Sequence, residues 1–197
     1  MLTLIVNPTA GTGYALKVEQ RLRSLLESKR IAHRILHTDR PGHATALARE
    51  AAQSNDSDAV VAVGGDGTAF EVACGLADTD TALGIIPAGT GNDFIKSVGI
   101  PRDPEQALDF ILKHKARPVD FGSMNDRAFI NVCGTGFDVT VLENMQEAKK
   151  KFRGMLPYLI GVVKAIVLYK PVHVRLTIDG NAVNLSPSTP LVKREFL

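Results

Sequence analysis

The 197-residue chain has no tryptophan, only two cysteines, few aromatic residues and no marked excess of either charge. Each scarcity removes a class of protein. Cys74 and Cys133 lie far apart, without metal-ligand spacing and each inside an apolar run, so they read as small hydrophobes in a reducing cytoplasm. Twenty-three Lys and Arg stand against 21 Asp and Glu, a net charge of +2 that gives no footprint for nucleic acid. His33, His37, His43, His114 and His173 share no spacing, and no metal is assigned to them. The most apolar late stretch, Leu156 to Tyr169, is interrupted by Gly161 and Lys164 and falls short of the ~20 residues of a spanning helix, so a buried helix is expected. The opening Met1 to Val6 lacks the basic start of a signal peptide and reads as a buried strand.

What is present is a core-forming composition, 45% hydrophobic and 22% charged, in a length suited to one large domain or one domain and part of another. Continuous apolar runs at Leu2 to Val6, Ala59 to Val63 and Leu83 to Ile86 have the pattern of parallel strands covered on both faces. Between and after them, helical periodicity predicts helices at about Tyr14 to Lys29, His43 to Gln53, Ala69 to Leu76 and Pro104 to His114, with a further strand at Ile31 to Leu36. The last of these helices is expected to turn Ala107, Leu108, Ile111 and Leu112 inward. This alternation is the grammar of an α/β domain with a parallel sheet. Past Arg117 it changes. Pro118 to Met124 and Ala128 to Cys133 flank a hairpin signal at Asn125-Asp126-Arg127. Helices follow at Asp138 to Lys151 and Leu156 to Tyr169, and a second hairpin closes on Asp179-Gly180. The expected organisation is an α/β nucleotide-binding domain over 1–115 and a partial, antiparallel β-rich domain over 116–197.

Three glycine-bearing loops follow the three apolar strands: Asn7-Pro8-Thr9-Ala10-Gly11, Gly64-Gly65-Asp66-Gly67-Thr68, and Pro87-Ala88-Gly89-Thr90-Gly91-Asn92-Asp93. Glycine allows positive φ and close backbone approach, so N–H groups can converge on phosphate oxygens at the mouth of a sheet. In the first loop Asn7 can bond its neighbouring backbone and Pro8 stiffens the turn. In the second, three glycines surround one carboxylate. An acid held beside phosphate can orient magnesium or accept a proton from an attacking hydroxyl, although Asp66 capping the helix that starts near Thr68 is the structural alternative.

Taken in order, NPTAG, HTDRPGHA, GGDGT and PAGTGNDF, continued by RPVDFG, NVCGTGFDVTV and KKFRGMLPYLIGVVKAIVLYKP, closely resemble the diacylglycerol kinase catalytic domain family, which includes sphingosine and ceramide kinases. The match runs from Leu2 to about Gly180. The resemblance implies that ATP lies against Asn7, Pro8, Thr9, Ala10 and Gly11, against Thr38, against Gly64 to Thr68, and against Gly89, Thr90, Gly91 and Asn92. It implies that Asp66 is catalytic, and that Asp93 and Asp120 organise the site and its Mg2+. Expected partners are a lipid substrate, the surface of a membrane and a second copy of the chain in a homodimer. The expected location is the cytoplasm, in association with membrane.

Two departures stand out. Phe70 occupies a position where family members commonly have Asn, which would remove a polar nucleotide contact. After Gly180 the family pattern stops, and the expected glycine-rich, acid-bearing segment is missing, so the chain reads as C-terminally truncated and a poor catalyst. Three functions compete. A lipid kinase acting on diacylglycerol leads. NAD kinase shares GGDGT, but PAGTGND is the lipid-kinase form. A nucleotide-binding relative without turnover is the third. The cluster Lys149, Lys150, Lys151 and Arg153 is read either as a solvated helix end or as a contact for anionic headgroups.

Overall fold

The computed structural model describes residues 1–54, 56–124, 127–131, 137–149, 152, 155–168, 174–178 and 180–185. The expected turn residues Asn125, Asp126 and Asp179, the run Gly134 to Gly136, Lys150, Lys151, Arg153 and everything after Leu185 lie outside them. By its contacts the chain divides into two compact units, the break falling after Asn131.

In the first unit, β1 (Leu2–Val6), β2 (His33–His37), β3 (Ala59–Gly64) and β4 (Ala82–Pro87) form one parallel sheet in the order β2-β1-β3-β4. Every pairing is in parallel register, with Leu4 opposite both Ile35 and Val61. The side-chain period of two sends Leu4 and Val6 to one face and Ile5 to the other, and each face has its own core. On the first face lie α1 (Tyr14–Ser28) and α5 (Pro104–Lys113). Val18, Leu22 and Leu26 of α1 are fully buried there, each contributing about 2 kcal/mol. On the second face α2 (His43–Gln53), α3 (Asp66–Leu76) and the short α4 (Phe94–Val98) pack through alanines and through Gly75, where a side chain would run into the Thr45 carbonyl of α2.

Helix ends follow local chemistry. The Asp103 side chain accepts hydrogen bonds from the Glu105 and Gln106 N–H groups at 3.1 and 2.9 Å, with Pro104 in the first turn of α5. Arg117 donates to the Val98 carbonyl at 2.8 Å, closing the C-terminus of α4. Three expectations are corrected here. Helix α3 begins at Asp66, three residues early, so the second glycine loop is largely the first turn of a helix. Helix α4 carried no periodic signal because it is only five residues long. Leu112 is 36% exposed, beyond the face of α5 that Ala107 and Leu108 bury.

A short antiparallel hairpin, β5 (Gly122–Met124) with β6 (Arg127–Phe129), ends the first unit. The second contains α6 (Phe137–Lys149), α7 (Leu156–Leu168) and the hairpin of β7 (Val174–Ile178) with β8 (Asn181–Leu185). Helices α6 and α7 meet where Gly161 lies against the Val141 carbonyl and Met145. Among the described residues, the helix expected to be buried is covered on that face only. Pro157, Gly161 and Ala165 are buried, while Leu159, Val163, Ile166 and Val167 are more than half exposed. Among the described residues no helix is long and apolar enough to cross a membrane.

Candidate active site

The strand order sets where a ligand can bind. The chain leaves β1 in one direction to make β2 and returns across it to make β3, so β1 and β3 are neighbours whose connections diverge, and a crevice opens beyond their C-terminal ends. A pocket of about 580 Å3 lies there, within the usual range for a small-molecule site. All four strands of the sheet supply its wall: Asn7, Thr9, Ala10 and Gly11 after β1, Thr38 to Pro41 after β2, Gly65, Gly67, Thr68 and Glu71 around the start of α3, and Gly89 after β4. The helices α1 and α3 both begin at this edge, and N–H groups at a helix N-terminus favour an anion.

Asn7 ties the first two loops together. Its Oδ1 accepts from the Thr9 N–H at 3.1 Å and the Thr9 hydroxyl at 2.9 Å, and its Nδ2 donates to Thr68 Oγ1 at 3.2 Å. The loops also pack backbone on backbone. Gly11 has φ +58°, and a side chain there would collide with the Ala88 carbonyl, while one at Gly89 would collide with Gly65 Cα. The Ala88 N–H donates to the Gly64 carbonyl at 2.7 Å. These glycines are therefore demanded by contact between loops. Gly67 is different: it is exposed, lines the pocket and has nothing within 4 Å of where a side chain would start.

Asp66 does cap a helix, but another one. Its Oδ1 accepts from the Asp93 and Phe94 N–H groups, at 2.6 and 3.0 Å, at the start of α4. Its Oδ2 faces Gly91, 3.0 Å from where a side chain would begin, and Asp93 Oδ2 faces the same point at 3.5 Å. Asp93 also pairs with Lys96. Asn92, at φ +51°, turns its amide back on Gly89, accepting from the N–H at 3.1 Å and donating to the carbonyl at 2.8 Å. Among the described residues that line the pocket, Pro8, Gly64, Asp66, Thr90, Gly91, Asn92 and Asp93 do not appear, and Asp120 lies instead along a second, apolar cavity beside the open edge of β4.

Phe70 is half-buried and outside the pocket wall, whereas its neighbour Glu71 forms part of it. Glu71 Oε2 accepts from the Ala44 N–H at 3.2 Å, satisfying the first turn of α2, which has only Gly42 at its N-cap. Burial pushes the nearby Cys74 thiol up, and the Glu71 carboxylate adds to the effect, as suits an inert packed thiol. Sequence reasoning also missed Asp39, Arg40 and Pro41, whose signal was their position directly after Thr38. It missed Glu19, on the inward face of α1. Glu19 receives hydrogen bonds from His37 Nε2 at 2.7 Å and Arg23 at 3.0 Å. Burial alone would raise this carboxyl, but those two bonds outweigh it and hold Glu19 below its ordinary value.

The family model described as the diacylglycerol kinase catalytic domain matches residues 1–124. The chain is 35% identical over 180 residues to a diacylglycerol kinase of Bacillus subtilis (strain 168), covering 90% of this chain and 59% of that protein. It is 36% identical over 186 residues to a diacylglycerol kinase of Staphylococcus aureus (strain bovine RF122 / ET3-1), covering 90% and 57%. A crystal structure of a diacylglycerol kinase from Bacillus anthracis (strain Sterne) superposes with a TM-score of 0.71 at 32% identity, covering 93% of this chain and 60% of that one. The chain thus spans about three fifths of the length of these relatives. With the loops, the sheet order and the sequence in agreement, the chain belongs to the diacylglycerol kinase catalytic domain family.

Proposed function

We propose that the chain carries the nucleotide-binding half of an ATP-dependent lipid kinase, which transfers the γ-phosphate to a hydroxyl of diacylglycerol to give phosphatidate. One observation carries the reading: the loops after all four parallel strands converge at the switch point between β1 and β3, and one of them contains a carboxylate whose orientation is fixed by two backbone N–H groups. Backbone N–H groups and the helix N-termini are the donors that a polyphosphate needs.

In this reading Asp66 takes the proton of the lipid hydroxyl as its oxygen attacks the γ-phosphorus, and ADP leaves. Its Oδ1 is committed to α4, so Oδ2 is the atom that acts. Asp93 Oδ2 faces the same point beside Gly91 and fits Mg2+, which protein sites commonly hold through one or two carboxylates together with substrate phosphates. Asp93 would hold it, leaving Asp66 Oδ2 for the proton, and when bound it would neutralise charge on the phosphates. Asp120 enters on the family resemblance rather than on proximity. A lipid substrate brings the enzyme to a bilayer surface on the cytoplasmic side, where the Lys149 to Arg153 cluster is the candidate contact.

The test follows radiolabelled γ-phosphate in the presence of Mg2+ and presents diacylglycerol in mixed micelles and NAD in parallel reactions. Label in phosphatidate supports the proposal. Label in NADP alone makes the chain an NAD kinase, and ATP binding without any product makes it a binding relative.

A further inference from the structure

A triphosphate brings several negative charges, and the glycine loops answer them with neutral N–H groups. Among the described residues lining the pocket, Arg40 is the only Lys or Arg. Two acids share that wall, and both are engaged: Glu71 accepts from the Ala44 N–H, and Asp39 holds Arg40.

The form of that last contact is informative. Arg40 NH1 donates to both Asp39 oxygens, at 2.9 Å to Oδ1 and 3.0 Å to Oδ2. Among the described residues only one of the three guanidinium nitrogens is therefore used, in place of the two parallel bonds of a fork-on-fork pair. Nε and NH2 carry the remaining donors of the planar group, in the geometry that matches phosphate. Asp39 is itself held at its backbone, its N–H donating to His43 Nδ1 at 3.2 Å, and His43 is the first residue of α2. The chain after β2 thus presents an arginine whose long side chain is steadied by a carboxylate and whose remaining donors are unspent.

We infer that Arg40 is the cation of this site and binds the polyphosphate of the nucleotide, with Asp39 as its positioning residue. The inference rests on the pocket being an ATP site. Neither composition nor motif pointed to Arg40, which stands inside HTDRPGHA between Thr38 and the start of α2.

Calorimetric titration of the chain with ATP, ADP and adenosine tests it, on the wild type, Arg40→Ala and Arg40→Lys. The expected result for Arg40→Ala is a loss of about 10-fold in ATP affinity, the scale of a charge-assisted hydrogen bond at a solvent-open site. ADP should also weaken and adenosine should not, Arg40→Lys should fall between, and added salt should narrow the difference between wild type and Arg40→Ala. Unchanged ATP affinity in a folded Arg40→Ala protein overturns the assignment while leaving the nucleotide site intact. An equal loss for adenosine also overturns it, because the guanidinium would then be stacking on the base or supporting the fold. Failure of the wild type to bind ATP removes the nucleotide reading and this inference together, so the two failures are told apart.

Discussion

Asp66 Oδ1 accepts the backbone N–H of Phe94 at 3.0 Å, joining the start of α3 to the start of α4 across 28 positions of sequence. The same oxygen receives the Asp93 N–H. One side chain thus satisfies the opening of a helix that its own residue does not belong to, and this fixes the direction of its second oxygen. Capping and chemistry, weighed as alternatives for this aspartate, are compatible, because capping takes one oxygen and leaves the other.

Substituting Asp66 separates them. Asp66→Asn retains an oxygen that accepts both N–H groups but loses the charge. It should keep its melting temperature and ATP affinity and lose ~10²–10⁴ in the rate of lipid phosphorylation. Asp66→Ala should be less stable than Asp66→Asn by about 1 kcal/mol, the cost of a lost cap, in urea denaturation. Near-normal turnover in Asp66→Asn would remove this residue from the chemical step.

The glycines divide into two groups that behave differently. Gly89→Ala places a carbon against Gly65 Cα and should destabilise the protein by about 1–3 kcal/mol, with affinity and stability falling together. Gly67→Ala meets nothing in the protein and removes a flexible residue from the first turn of α3. It should hold or gain stability by about 0.5–1 kcal/mol while weakening ATP, since the methyl group enters the pocket. A Gly67→Ala protein with unaltered ATP affinity would show that phosphate does not approach this turn.

Asn7→Ala removes the acceptor for Thr9 and the donor to Thr68 at one stroke. Net hydrogen bonds of this kind are worth about 1 kcal/mol each, and a loss of 1–3 kcal/mol in unfolding free energy is expected. The first two loops would no longer be tied through a side chain, so ATP binding should weaken as well. Calorimetry on Asn7→Ala beside Thr9→Ala separates the tie from the local turn, because Thr9→Ala keeps the bond between Asn7 and Thr68.

Glu19 makes the fold sensitive to acid. A carboxyl held below its ordinary value in the folded chain stabilises the protein above the unfolded-state range of about pH 4–4.5, and that contribution disappears as pH falls through the folded value. Glu19→Gln should cost about 1–2 kcal/mol at pH 7 and progressively less as the pH is lowered below 4. Urea denaturation of both proteins at pH 7 and pH 3.5 reads the difference. An equal gap at the two pH values would mean that the carboxylate charge is not what His37 and Arg23 stabilise.

The parallel strands, the helices that cover them and the glycine-bearing loops at the strand ends were legible in the sequence, because local periodicity and glycine placement act within a few residues. The run Ala59 to Val63, which has the look of a doubly covered strand, is one, and the bounds His43–Gln53 of α2 emerged as read. Partnership across the chain was decided by tertiary structure. Nothing local says that β2 returns beside β1 and thereby places Thr38 to Pro41 on the pocket wall, that Glu71 rather than Phe70 faces it, or that Asp66 caps α4. Nor does periodicity separate a helix buried all round from α7, which among the described residues is covered on one face only. Sequence pattern records which residues prefer to leave water. Which neighbour receives each of them is set by strand order and by close backbone contacts such as Gly65 on Gly89, and these exist only once the sheet has assembled.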